Sequence, residues 1–193
     1  MTTTNLETPH AAPAPSSTPR SPYFPTHDLV SAPPEARPFL EENQRRFGFV
    51  PLATARHATA PAVVEGFARL HALFETTSLS PLAREAVALV LAGKLDCKLC
   101  RDIHRGLARR QGAAAELIEQ LIARRDIADP KLAALALFTE RVVDTHGAVS
   151  DAEIERFVAQ GFTAREALEV VLGVATYTLS IFANRMTRSE TMR

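Results

Sequence analysis

The stretch EAVALVLAGKLDCKLCRDIH, Glu85 to His104, decides how this chain folds and where its chemistry lies. It holds both cysteines of the protein, Cys97 and Cys100, a histidine four residues after the second, and a glutamate inside an otherwise apolar run. Ser80 and Pro81 precede it in the order expected of an N-cap and a first-turn residue, so a helix is predicted over Leu82 to Gly93. Leu82, Glu85, Ala86, Leu89 and Ala92 recur at spacings of three and four, which sets the Glu85 carboxyl in an apolar stripe. Desolvation there raises its proton affinity unless a partner compensates. The pattern breaks at Lys94-Leu95-Asp96. Asp96 is the predicted cap of a second helix running from Cys97 to about Gln111, with Gly112 as its stop.

Both cysteines then fall in or near the first turn of a helix, where free backbone N–H groups and the positive end of the dipole favour a thiolate. A thiol pKa falling from ~8.5 to ~6.5 would raise the reactive fraction at neutral pH from ~3% to ~75%. Helical residues three apart have Cα atoms ~5 Å apart, within disulfide range. Cys100 and His104 are one turn apart on the same face, which makes the imidazole a candidate base for that sulfur. The spacing points to Cys100 as nucleophile and Cys97 as its resolving partner. A zinc site using Cys97, Cys100 and His104, with Glu85 as fourth ligand, is a rival, and inert core thiols are another.

Glu85, eleven residues, Cys97-x-x-Cys100, three residues, His104 resembles the core motif of the alkylhydroperoxidase D-like, or carboxymuconolactone decarboxylase, superfamily. RRFGFVP (Arg45 to Pro51) and LSPLAREAVAL (Leu79 to Leu89) are similar to its peroxidase-related branch. The likeness spans roughly residues 37 to 186. It implies that Cys100 is the peroxide-reactive thiol, that Cys97 resolves its sulfenic acid, and that Glu85 and His104 form a proton relay. It further implies a small-molecule hydroperoxide as substrate, an external dithiol or thioredoxin-like protein as reductant, and a homo-oligomer, whether dimer, trimer or hexamer. No cofactor and no metal is expected. The peroxidase prototype has a histidine just before its second cysteine, where this chain has Leu99. Other functions within reach of the motif are a disulfide reductase serving a partner peroxiredoxin, a lyase like the lactone decarboxylase, and a non-redox zinc protein.

Outward from this centre, the chain reads as helical throughout. Residues 1–22 are rich in Thr, Pro, Ala and Ser and read as a disordered tail without the basic start and apolar centre of a signal peptide. Prolines keep interrupting residues 23–38, an extended arm. An all-α, helical-hairpin domain is expected over residues 39–188. Helices are predicted at Phe39–Phe47, stopped by Gly48, and at Pro61–Glu75, with His71 on its apolar side as a core histidine bonded to a carbonyl. Ala113–Arg124 follows, then a helix opened by Asp129-Pro130 and stopped at His146-Gly147. Capping boxes at Ser150–Glu153 and Thr163–Glu166 start the last two. Ala83-Arg84-Glu85-Ala86 recurs as Ala164-Arg165-Glu166-Ala167, which marks either a duplicated hairpin or coincidence in an Ala- and Arg-rich chain. In the first case Cys97, Cys100 and His104 align with Thr178, Ile181 and Arg185.

Twenty-two basic and twenty-two acidic residues leave no net charge, so no nucleic-acid surface and no anionic membrane partner is expected. No segment reads as approaching the ~20 apolar residues of a membrane span. Two cysteines three apart, without an export signal, suit a reducing compartment, and the cytoplasm is the expected location.

Overall fold

The computed structural model describes residues 22–192, and nearly all of the expected 1–22 tail lies outside them. Among the described residues nine helices form and no strand. They are α1 (Arg37–Phe47), α2 (Leu52–His57), α3 (Pro61–Glu75), α4 (Pro81–Lys94), α5 (Lys98–Arg110), α6 (Ala115–Ala123), α7 (Pro130–Asp144), α8 (Asp151–Ala159) and α9 (Ala164–Met186). The chain is all-α, as its helix-forming composition and lack of alternation predict.

Most boundaries follow from local chemistry. Ser80 Oγ accepts from the Ala83 N–H and opens α4, while Asp129 Oδ1 accepts from the Leu132 N–H and opens α7. Gly48 ends α1 in the left-handed region, at φ 77°. At the start of α8 the Glu153 carboxylate accepts from both the backbone and the hydroxyl of Ser150, and at α9 Glu166 does the same for Thr163. These are the predicted capping boxes. Helix α2 escapes sequence reading because it is six residues long and begins at Pro51 without a capping side chain.

Helix α4 is the axis of the bundle. The stripe predicted for it is too narrow, because every side chain from Glu85 to Ala92 is buried. It packs against α5, α6, α7 and α9, so all of its faces are covered, and a helix apolar all round is what such a position requires. Two glycines permit the close crossings. A Cβ on Gly93 would lie 2.1 Å from the Ile122 carbonyl oxygen at the end of α6, and one on Gly173 of α9 would lie 2.7 Å from the Phe74 ring. Away from the axis, Phe138, Phe157 and Phe162 stack at 4.3 and 4.2 Å and fasten α7 to α8 and its exit turn.

The proline-rich segment before α1 buries Ala32 and Ala36 against Leu40 and Ala58, which makes a small second core beside α1 and α2. Helix α2 in turn holds the end of α9. Arg56, 2% exposed, donates from Nη1 to the carbonyls of Thr187 (2.7 Å) and Arg188 (3.0 Å). A cation on the carbonyls of the C-cap and the residue after it complements the dipole of this 23-residue helix.

Helix α9 corrects two expectations. Its most apolar 18-residue window has a mean hydropathy of 1.4, so by length and composition it could cross a membrane, contrary to the reading that no segment approaches a span. One side closes the core through Ala167, Val170, Tyr177 and Ile181; the other leaves Leu168, Val171, Phe182 and Met186 exposed. The repeat is also not a second hairpin. Thr178, Ile181 and Arg185 lie within uninterrupted α9, whereas their counterparts flank the α4–α5 turn.

Candidate active site

The site is built where α4 gives way to α5. Helix α4 ends at Lys94, Leu95 follows as its C-cap, and Asp96 turns the chain in the left-handed region at φ 50°. Asp96 is therefore not the N-cap it was expected to be. An aspartate tolerates that conformation better than most residues, and its carboxylate is held instead by Arg101 at 2.8 Å, which lowers its pKa. Cys97 takes the cap position with extended backbone, and its Sγ accepts from the Cys100 N–H at 3.3 Å. From across the bundle, Arg185 Nη1 donates to the carbonyls of Leu95 and Asp96 at 2.8 and 2.7 Å. This fixes the turn.

Cys97 and Cys100 are joined by a disulfide, with Cα atoms 5.3 Å apart. Both are buried, at 3% and 5% exposure. The helix terminus acts most directly at the Cys97 sulfur, which receives a backbone N–H. Cys100 has other neighbours. Asn184, on the last turn of α9, donates from Nδ2 to its Sγ at 3.5 Å, and His104 follows it by one turn of α5.

The carboxylate–imidazole contact implied by the resemblance is present. His104 Nδ1 and Glu85 Oε2 are 2.7 Å apart, so α4 supplies the carboxylate and α5 the ring, and Glu85 has the partner its burial demands. The edge of one ring meets the face of the other where Tyr177 of α9 packs on His104, with centroids 4.8 Å apart. Burial, and then the Glu85 carboxylate, push the Tyr177 phenol far above its ordinary pKa, so it remains protonated. His71 is half-buried rather than inside the core. It lies between Phe67 and Tyr177, with Nε2 4.0 Å from Glu75 Oε1, and burial lowers its pKa.

Thus all four predicted residues, Glu85, Cys97, Cys100 and His104, converge. Tyr177 and Asn184 belong to the same cluster and were not singled out from sequence. They come from a helix some eighty residues further along the chain, and no local motif marks them. A cavity of about 240 Å³, lined in part by Asp96, Cys97, Leu99, Asn184 and Arg185, opens beside the disulfide. Leu99 is itself buried at 3%, so the residue that replaces the prototype's histidine presents hydrocarbon there. No group of three or more His, Cys, Asp or Glu side chains among the described residues is arranged to hold a metal ion.

The arrangement combines an oxidisable sulfur pair, a helix N-terminus and a buried acid–base couple. Similar folds exist in solved proteins. The structure is similar to the alkylhydroperoxidase AhpD core of an uncharacterized peroxidase-related protein from Ralstonia eutropha JMP134, with TM-score 0.74 and 26% identity over 89% of this chain and 90% of that one. It is also similar to an uncharacterized peroxidase-related protein from Silicibacter sp. TM1040, with TM-score 0.70 and 19% identity over 91% and 94%. The debrominase Bmp8, solved as a cysteine-to-alanine variant in complex with 2,3,4-tribromopyrrole, shares the fold at TM-score 0.71 and 12% identity over 91% and 94%. No protein-family model matches the sequence, and no curated protein matches it.

Proposed function

We propose that the chain, whose fold is that of an alkylhydroperoxidase AhpD core at 26% identity, is a peroxidase-related protein of that kind: a thiol-dependent peroxidase that reduces organic hydroperoxides through Cys97 and Cys100. The observation that carries this is the placing of the disulfide at the N-terminus of α5, one turn from a buried His104–Glu85 pair. In the reduced protein His104, polarised by Glu85, takes the Cys100 proton. The thiolate attacks the distal oxygen of the hydroperoxide, the O–O bond breaks, and the alkoxide leaves with the proton held by His104. Cys100 becomes a sulfenic acid. Cys97 then attacks that sulfur, water is lost, and the disulfide forms. An external dithiol restores the two thiols and is itself oxidised to a disulfide, which suits a reducing compartment such as the cytoplasm.

A second function, reduction of a partner peroxiredoxin's disulfide, is favoured by one observation: the cavity is lined by Cys97 and not by Cys100. In that case Cys97 is the sulfur that exchanges with a protein partner. The likeness to the debrominase, at 12% identity, extends to fold alone. Assembly into a homo-oligomer belongs to the same proposal, with the uncovered α9 face of Leu168, Val171, Phe182 and Met186 as the surface against a second copy.

The deciding experiment measures intact mass and metal content of the reduced protein before and after one equivalent of an organic hydroperoxide. Loss of two hydrogens without bound metal is expected. A stoichiometric metal with unchanged thiols would overturn the proposal in favour of a zinc site.

A further inference from the structure

Asn184, on the last turn of α9, meets a sulfur of the α4–α5 motif from some eighty residues along the chain. Its side chain is buried at 4% exposure, where α9 reaches Cys100 Sγ. A disulfide sulfur or a thiolate can only accept a hydrogen bond, so the amide nitrogen is the atom that faces Cys100 Sγ, at 3.5 Å; the same nitrogen is 3.5 Å from Ser180 Oγ. The carbonyl Oδ1 is left buried with no hydrogen-bond partner among the described residues. A buried amide acceptor without a donor is uncommon and costs stability. Asn184 also lines the 240 Å³ cavity beside Cys97 and Leu99, so the unmatched acceptor belongs to a side chain that bounds the space where a ligand can enter.

The neighbouring cations and the acid–base couple are engaged elsewhere. His104 and Glu85 bond to each other, Asp96 to Arg101, Lys98 to Asp102, and Arg185 to two backbone carbonyls. Asn184 offers the sulfur a neutral donor.

We infer that Asn184 is a catalytic residue: its N–H stabilises the Cys100 thiolate, and its carbonyl receives the O–H of the hydroperoxide. The inference rests on the peroxidase function proposed above. In the displacement, the distal oxygen keeps its hydrogen while the O–O bond breaks, and that hydrogen becomes the sulfenic acid O–H. One acceptor therefore serves reactant and product alike. Fixing the O–H on the carbonyl also turns the distal oxygen, rather than the substituted one, toward sulfur. The balance is Cys100–S⁻ plus ROOH plus the His104 proton, giving Cys100–SOH plus ROH.

The test uses full-length protein in a Cys97→Ser background, so that Cys100 is the single thiol, and compares Asn184 with Asn184→Leu and the isosteric Asn184→Asp. Iodoacetamide alkylation against pH gives the Cys100 midpoint without any peroxide. An upward shift of about 1–2 pH units is expected for Leu. A further rise is expected for Asp, which sets a negative charge beside the sulfur. The rate of sulfenic acid formation with an organic hydroperoxide is then corrected to equal thiolate fraction. For Leu it should fall about 10–100-fold, and for Asp, which keeps an acceptor, by much less. An unchanged midpoint overturns the inference, and so does an unchanged corrected rate in the Leu variant. If Asn184→Leu does not fold, Asn184→Ala, which also lacks both donor and acceptor, takes its place in both measurements. A parent protein that alkylates but forms no sulfenic acid removes the peroxidase function and the hydroperoxide contact with it. The midpoint then still tests the N–H contact alone.

Discussion

Glu85 and His104 meet at 2.7 Å across the α4–α5 crossing, nineteen residues apart in sequence, with side chains only 11% and 8% exposed. Substituting Glu85 by Gln keeps the shape and a hydrogen-bond acceptor while removing the carboxylate charge beside the ring. Oxidation of the dithiol by an organic hydroperoxide should slow by about 10–100-fold, at the lower end of what general acid–base groups contribute. Stopped-flow consumption of thiol measures this, and a rate equal to wild type would take Glu85 out of the relay.

Cys97→Ser should leave a sulfenic acid on Cys100 that dimedone traps and mass spectrometry locates. Cys100→Ser should abolish peroxide turnover. If Cys97 were the attacking sulfur, as its N-cap position would allow, the two variants would exchange behaviours.

Two of the helical glycines, Gly93 and Gly106, should respond in opposite directions to alanine. At Gly93 the new methyl meets the Ile122 backbone, and a loss of about 1–3 kcal/mol or more is expected from overpacking. Gly106 sits exposed in the middle of α5 with nothing within 4 Å of a Cβ, so alanine there should add about 0.5–1 kcal/mol of stability. Urea unfolding of the reduced and the oxidised protein measures both.

His57 gives stability a pH dependence. Burial lowers its pKa from 6.5 to about 4, so the unfolded chain takes up a proton at pH values where the folded protein refuses it. Stability from this group is fully present above pH 6.5, falls as the pH drops toward 4, and loses up to about 3 kcal/mol in that window. His71, also lowered by burial, acts with the same sign. His57→Leu should flatten the profile, and urea midpoints between pH 4 and 7 would reveal it. An unchanged slope would mean that the ring is protonated in the folded state.

Phe182, 54% exposed on the outer face of α9, should matter for assembly rather than for folding. Phe182→Glu is expected to shift the sedimentation coefficient toward the monomer with little change in helix content. A wild-type monomer at micromolar concentration would sink the idea.

What the sequence discloses is whatever one or two turns of helix can encode. Ser80-Pro81, Asp129-Pro130 and the boxes at Ser150 and Thr163 name helix starts because the capping groups lie within three residues of one another. Cys97, Cys100 and His104 are legible for the same reason. The cap of α5 is misjudged by one residue, since Asp96 and Cys97 are both able to hold that place and the choice is made by Arg101 and Arg185. The full burial of α4 is hidden because alanine and valine fit a half-covered helix as well as an enclosed one, and only four neighbouring helices settle which it is. Asn184 and Tyr177 are invisible in the motif, because their proximity to Cys100 and His104 is a product of the fold.

The turn between Lys94 and Cys97 is held by Arg185 on two carbonyls and by the Cys97 N–H on the Ala92 oxygen at 2.9 Å. Sulfur takes no part in any of these bonds. Gain or loss of two electrons at the disulfide therefore leaves the turn's own fastening untouched, and the oxidised and reduced proteins should present nearly the same outline. A molecule that must tell them apart cannot do so by shape; it has to try the reaction.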